Sequence, residues 1–323
     1  MSSRYSRQIV LADVGERGQS RLAAAAVTVV GAGGLGCAVL EYLTAAGVGH
    51  LTIVDHDSVE ESNLHRQPLY RMSDLGKPKA AAARAALGAL NPEVRVEALI
   101  ERLSPANAAP LVAAADVVVD AADSFAVTYV LSDACLRAAK PLVSASVLGL
   151  SGYVGVFCGG APSYRAVFPE LPRQAGSCAE SGVLGTAVGV MGTLQAHLTL
   201  ALLLRLEPPV LGRLLNVDLR TLHLGGFSFL EAAEPANALT FIAPADVASS
   251  DLVVDLRGRT EAPVSPFPSA WRLSVEALEK GEQPLPPATR IVLCCRTGVR
   301  AWRAARALEA QGHRNVALIA LGE

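Results

Sequence analysis

The sequence predicts an α/β protein: a doubly wound sheet followed by a second, small α/β domain. Three observations carry this. The β-branched run Val27-Thr28-Val29-Val30 leads into Gly31-Ala32-Gly33-Gly34-Leu35-Gly36 and then a helical pattern to about Ala46. A second apolar strand, Leu51-Thr52-Ile53-Val54, ends in Asp55. Far downstream, past an Ala/Glu/Pro/Asn-rich linker around Glu231–Ala238, strand and helix patterns begin anew. The expected division is 1–235 and 240–323.

Taken in order, strand, glycine turn, helix and acid-ended strand open a Rossmann-like sheet. Gly31, Gly33 and Gly36 match G-x-G-x-x-G, with Gly34 inside the turn. Such glycines allow a tight turn, close approach of backbone to phosphate, and close helix–strand packing. Asp55 lies about twenty residues on, the spacing of a ribose contact. The loop means nucleotide, and NAD, FAD and ATP all use it. Further strands are expected over Asp116–Asp120 and Pro141–Ala145, with helices over Pro78–Leu90 and Thr128–Ala139. In the second domain, Leu252–Asp255 and Ile291–Cys294 read as strands and Gly298–Gln311 as a helix stopped by Gly312.

Length and composition bound the rest. The 323 residues suit about two domains at roughly 100–200 residues each. With 51% apolar and 18% charged residues the chain is not disordered. A net charge of −2 offers no footprint for nucleic acid or an anionic membrane. None of the six cysteines forms a C-x-x-C pair, and no apolar signal core follows Met1. The expectation is free thiols in a reducing cytoplasm. Gly182–Leu204 carries no formal charge with His197 neutral, but its polar interruptions favour a buried helix over a membrane span.

Charged residues follow the loop in a telling order. Asn63-Leu64-His65-Arg66-Gln67 lies past Asp55-His56-Asp57, and Gly76-Lys77-Pro78-Lys79 opens a helix. Arg66 and Lys79 suit a triphosphate better than the less charged NAD. Asp120 and Asp123 close a strand, where carboxylates border the crevice and are able to hold Mg²⁺.

These residues identify a resemblance. Arg4-Tyr5-Ser6-Arg7-Gln8-Ile9, the glycine loop, Asp55–Asp57, Asn63–Gln67, Gly76–Lys79, Asp120–Asp123 and Ser177-Cys178-Ala179-Glu180-Ser181-Gly182-Val183-Leu184-Gly185 stand in the order of the sulfur-carrier adenylyltransferases of molybdopterin and thiamine biosynthesis. This MoeB/ThiF group is related to ubiquitin-activating enzymes, and the resemblance covers roughly the first 230 residues. It implies an adenylating fold in which Asp55, with Asp57 beside it, serves the ATP ribose site. Asn63, Arg66 and Lys79 contact phosphates, and Asp123 coordinates Mg²⁺. Arg7 reaches into the site of a partner in a homodimer. The implied substrate is a small ubiquitin-like carrier ending in Gly-Gly, whose carboxylate attacks the α-phosphate and releases pyrophosphate. Cys178 stands where some relatives link covalently to the carrier and where in others the thiol is dispensable for adenylation, so a reactive thiol and a packing residue are both open readings.

The chain also departs from that pattern. Many members carry two C-x-x-C pairs binding zinc. The first pair's place reads Ser163-Tyr164-Arg165-Ala166 and the second pair's region Glu234–Ala238, so no zinc is expected. The D-N-x-x-x-R that follows the strand is here Asp123-Ser124-Phe125-Ala126-Val127-Thr128, without the Asn and Arg.

Near the end, Cys295-Arg296-Thr297-Gly298-Val299-Arg300 follows a strand and starts a helix. Backbone N–H groups, a helix N-terminus and two arginines favour a thiolate or a persulfide. The loop resembles the C-R-x-G-x-R loop of rhodanese sulfurtransferases, as do Val253–Arg257 and Gly312–Val316, although no G-H-I-P-G segment is visible. Cys294 is expected in the strand, with a resolving thiol as its other role; Cys37, Cys135 and Cys158 read as inert core. The combined expectation is ATP- and Mg²⁺-dependent adenylation of a carrier, then sulfur transfer from Cys295 loaded by a donor such as a cysteine desulfurase. A carrier-binding scaffold, an NAD-dependent oxidoreductase and a peptide-ligating or amidating adenylase are the alternatives.

Overall fold

The computed structural model describes residues 3–171, 182–286 and 289–322. Its first sheet has eight strands in the order β3-β2-β1-β4-β5-β6-β7-β8. These are β1 (Ala26–Val30), β2 (His50–Val54), β3 (Arg95–Leu99), β4 (Val117–Asp120), β5 (Pro141–Leu148), β6 (Ser151–Cys158), β7 (Arg213–Asp218) and β8 (His223–Ser228). Strands β3 to β5 pair in parallel; β5 to β8 pair antiparallel. The order reverses between β1 and β4, where Val30 pairs with both Val54 and Asp120. In an open α/β sheet the crevice past the carboxyl ends of these strands is the ligand position.

Helices α1 (Ser6–Ile9) and α2 (Gly15–Ala24) precede the sheet. Crossovers are made by α3 (Gly34–Ala46), α4 (Lys79–Leu90), α5 (Pro105–Ala113) and α6 (Phe125–Ala138), and α7 (Tyr164–Val167) follows β6. The charge-free stretch forms α8 (Gly185–Leu204), long and apolar enough to cross a membrane. It packs on α3 and the sheet, with Ala187, Val188, Met191 and Ala196 buried. Its close approach needs Gly192, where a methyl would sit 2.7 Å from the Leu35 carbonyl oxygen.

The second sheet, β11-β10-β12-β13-β9, is parallel throughout. It comprises β9 (Thr240–Phe241), β10 (Leu252–Asp255), β11 (Trp271–Arg272), β12 (Ile291–Cys295) and β13 (Val316–Ala320), with α9 (Val275–Glu279) and α10 (Val299–Ala310). One apolar cluster runs from Ala126, Tyr129 and Val130 of α6 to Leu293, Cys295, Ala301 and Trp302.

Candidate functional site

The glycine loop is built by contacts that exclude side chains. Gly31 adopts φ of 95°, and a methyl there would lie 2.6 Å from the Ala121 carbonyl oxygen. The loop therefore rests directly on the chain leaving β4. At Gly34 a methyl would meet Val188 at 2.5 Å and the Arg66 carbonyl oxygen at 3.2 Å, and at Gly185 it would collide with the His65 carbonyl. Two helix starts thus close on the His65–Arg66 turn. At Gly36, a methyl would collide with the Gly31 carbonyl.

Asp55 caps this loop from the end of β2. It is 8% exposed; Oδ2 accepts the Ala32 N–H at 2.7 Å and Oδ1 accepts the Asp57 N–H at 2.8 Å. Burial raises its carboxyl, and the two N–H donors oppose that. Tyr70, absent from the sequence expectations, donates its hydroxyl to the Ala32 carbonyl at 2.6 Å. Lys79 stands buried at the start of α4 and binds Asp57 Oδ2 at 2.8 Å. Burial works to raise the Asp57 carboxyl, but the ammonium outweighs it and holds the carboxyl below its ordinary range. Asn63 is buried, and its carbonyl accepts the N–H groups of Arg66 and Gln67, each at 3.1 Å. Arg66 is half-buried and donates to the Ser62 carbonyl at 3.1 Å. Gln67 is 3% exposed, its Oε1 has no partner, and its Nε2 lies 3.8 Å from where a Gly33 methyl would be.

Asp120 and Asp123, similar in sequence, differ in place. Asp123 is exposed. Asp120 is 1% exposed; Oδ2 accepts hydroxyls from Thr128 at 2.7 Å and Ser144 at 2.8 Å, and Oδ1 accepts the Ala122 N–H at 3.3 Å. Two hydroxyls thus occupy Oδ2, and one longer N–H contact reaches Oδ1. Burial pushes its carboxyl up to about 6. Thr128, read in the sequence as a missing arginine, is a ligand of this buried carboxylate. Asp123 fits a cation that keeps much of its water shell. Among the described residues, the group able to converge ligand atoms on a metal is Asp55, His56 and Asp57.

Arg7 is exposed on α1. Its neighbour Tyr5 accepts a hydrogen bond from Asn91 at 2.9 Å and abuts Gly47, at the end of β2 opposite the glycine loop. One chain therefore does not bring Arg7 to the loop. Cys178 lies outside the described residues. At the two places that the sequence resemblance assigns to cysteine pairs, Glu234 accepts the Ser163 N–H and hydroxyl, each at 2.6 Å, and Arg165 forms a two-point bond to Asp133 at 2.6 and 2.9 Å.

The cysteine loop connects β12 to α10. Cys295 Sγ accepts N–H groups of Gly298 at 3.2 Å and Ala301 at 3.4 Å, a cradle for an anionic sulfur. Arg296 and Thr297 are exposed, and Arg300 pairs with Glu261 at 2.5 Å. Cys294 points to the opposite face of the sheet, among Val253, Val292 and Ile319. Burial pushes its thiol up to about 12, as it does those of Cys37 and Cys158; Cys135 is raised as well. Beneath the loop Asp255, fully buried, binds Arg257 at 2.9 and 3.0 Å and accepts the Ser265 hydroxyl at 2.9 Å.

Residues 5–239 match the model of the ThiF family, and residues 242–322 that of the rhodanese-like domain. A Bos taurus protein, adenylyltransferase and sulfurtransferase MOCS3, is 50% identical over 218 residues, covering 67% of this chain and 48% of that one. The sulfur carrier protein adenylyltransferase of Thermus thermophilus is 47% identical over 223 residues, covering 67% and 82%. The MOCS3 protein of Sus scrofa is 37% identical over 319 residues, covering 86% and 70%. The chain spans about half the length of several curated relatives that it matches. Among solved structures, E. coli MccB with MccA-N7isoASN superposes with a TM-score of 0.63 at 22% identity, over 73% of this chain and 74% of that one. E. coli MccB with ATP gives 0.61 at 22%, over 71% and 72%. The likeness to these structures is one of fold.

Proposed function

The chain belongs to the ThiF family and carries a rhodanese-like domain behind it, and from that premise we propose that it adenylates the terminal carboxylate of a Gly-Gly-ended carrier protein and then passes it sulfur from Cys295. The observation that carries this reading is the crevice past β1, β2 and β4. A glycine loop capped by Asp55, with Asn63, Arg66 and Lys79 beside it, stands in the same chain as a thiol cradled by two N–H groups.

In this reading the loop backbone and Arg66 receive the phosphates, while Asp55 and Asp57 face the ribose. Lys79 exchanges its bond with Asp57 for phosphate oxygen. Mg²⁺, held by Asp123, would offset the charge of the polyphosphate. The carrier carboxylate attacks the α-phosphorus, the bond to pyrophosphate breaks, and an acyl-adenylate forms. A Cys295 persulfide, supplied by a donor of the cysteine desulfurase kind, then attacks the acyl carbon and AMP leaves. The product is an acyl disulfide, which a second thiol cleaves to the carrier thiocarboxylate. Tethering keeps the persulfide concentrated near the mixed anhydride. Arg7 acts across a homodimer, from the second copy.

The test is ATP–pyrophosphate exchange with Mg²⁺ and a panel of Gly-Gly-ended carriers. Exchange with one carrier, lost in Asp123→Ala and kept in Cys295→Ala, is the expected result. A folded protein that binds a carrier yet exchanges with none would overturn the adenylation step.

A further inference from the structure

Cys295 has no exposed surface, although Arg296 and Thr297 beside it are open to solvent. Its Sγ is held by Gly298 and Ala301, and Cys295 shares one buried cluster with Phe241 and Trp302 and with Ala126 and Tyr129 of α6, at a seam between the two sheets. A methyl on Gly298 would lie 2.6 Å from the Phe241 ring and 3.3 Å from the Ala126 methyl of α6. Trp302, on the first turn of α10, is 3% exposed and its ring centre lies 4.8 Å from that of Tyr129. Arg165, clamped by Asp133, sets its guanidinium 4.5 Å from the Tyr129 ring centre and 5.7 Å from that of Trp302. One turn later Arg306 pairs with Glu170 at 2.8 Å, donates to the Pro169 carbonyl at 3.1 Å, and lies 5.3 Å from the Trp302 ring centre.

The connector is anchored at both ends. Glu234 is bonded to Ser163 on the first domain, and Leu239 is buried at the start of the second. Between them Ala236, Asn237 and Ala238 are exposed and lie in neither helix nor strand. The segment that lacks the first cysteine pair thus contributes both Ser163, which anchors the connector, and Arg165, which faces Trp302.

We infer that this is a closed resting arrangement, in which the C-terminal domain docks on α6 and α7 and seals Cys295, and that parting of the seam admits the sulfur donor. The inference rests on the reading of Cys295 as the sulfur-bearing thiol. Arg306–Glu170 is the exposed latch of the seam, and Trp302 on Tyr129 its apolar centre. Opening turns residues 235–238 and leaves both sheets intact.

The experiment is timed iodoacetamide labelling of the full chain at fixed pH, with each cysteine peptide followed by mass spectrometry. It needs neither ATP nor carrier, so its outcome is separate from that of the exchange assay. Wild-type Cys295 is expected to label at least about tenfold more slowly than glutathione. Glu170→Lys, on an exposed residue, should speed that labelling about three- to tenfold, since the latch is replaced by repulsion. Adding Arg306→Glu to that variant should restore slow labelling, and unlabelled Cys37 and Cys158 report an intact core throughout. Labelling of wild-type Cys295 as fast as glutathione, or a rate indifferent to Glu170→Lys, would overturn the seal.

Discussion

Asp120→Asn isolates the buried carboxylate beneath the crevice. Asp120 is 1% exposed, its three donors are neutral, and burial pushes its carboxyl up from 3.8 to about 6. A raised carboxyl means that the folded chain holds a proton which the unfolded chain has released. Between pH 4 and 6, therefore, the folded state binds more protons, and stability falls as pH rises through that window. About two pH units at 1.36 kcal/mol each gives roughly 3 kcal/mol, fully lost above pH 6. Asparagine keeps the shape and an acceptor for Thr128 and Ser144 but cannot ionise. The unfolding free energy of wild type minus that of Asp120→Asn should then fall by about 3 kcal/mol from pH 4 to pH 7. Urea unfolding followed by circular dichroism across that range reads the difference directly. Carboxylates remote from the site contribute alike to both proteins and cancel; Asp123, whose charge helps to raise Asp120, is coupled to it. Two parallel pH profiles, separated by a constant offset, would refute the argument.

Three further outcomes are expected. Lys79→Met removes the buried ammonium from the crevice and should lower carrier-dependent exchange about a hundredfold or more with unchanged circular dichroism; an unaltered rate would remove Lys79 from the phosphate site. Arg165→Met strands Asp133, whose side chain is 18% exposed, and should cost about 3 kcal/mol in urea unfolding, against under about 0.5 kcal/mol if the pair behaves as a surface one. Burial acts to raise the Asp255 carboxyl, but Arg257 and Ser265 hold it below the ordinary range, so its stabilisation is present above that range and lost as pH falls through it. Asp255→Ala should therefore cost several kcal/mol at pH 7, about 3–5, and less at pH 3, as measured by denaturant midpoints.

The opening unit was legible because its local signals agree. A β-branched run, three spaced glycines and a strand ending in an acid each favour β1, the loop, α3 and β2. Strand β5 was expected to stop at Ala145, yet it continues to Leu148 because it turns at Gly149 and pairs back along β6. Helix α6 begins at Phe125 rather than Thr128, directly after the extended Ser124. The outer strand β8 gave no alternating signal: Leu224 and Phe227 are exposed and Gly225–Gly226 lie between them. The site was legible in its residue types and illegible in its pairings. Thr128 and Ser144 acquire a role only when β4, β5 and α6 bring them to one carboxylate, and Trp302 meets Tyr129 only through the docking of two sheets.

The same pairings say why the proposed adenylation needs its metal. Past β1, β2 and β4 stand the carboxylates of Asp55, Asp57 and Asp123, with Asp120 buried beneath them, against Lys79 and Arg66 of the loop cluster. Lys79 is already bound by Asp57, and Arg66 by the Ser62 carbonyl. Where the family motif places an arginine after the strand, Thr128 supplies a neutral hydroxyl. Arg102 adds positive charge near Asp57, yet among the described residues the crevice of a single chain has little surplus of it for a triphosphate meeting a carboxylate. Mg²⁺ at Asp123 and Arg7 from a second copy are the two cations that would correct this, one from solution and one by association. In consequence, binding of ATP should weaken steeply when Mg²⁺ is withdrawn and when the protein is diluted below dimerisation, and the two losses should be independent.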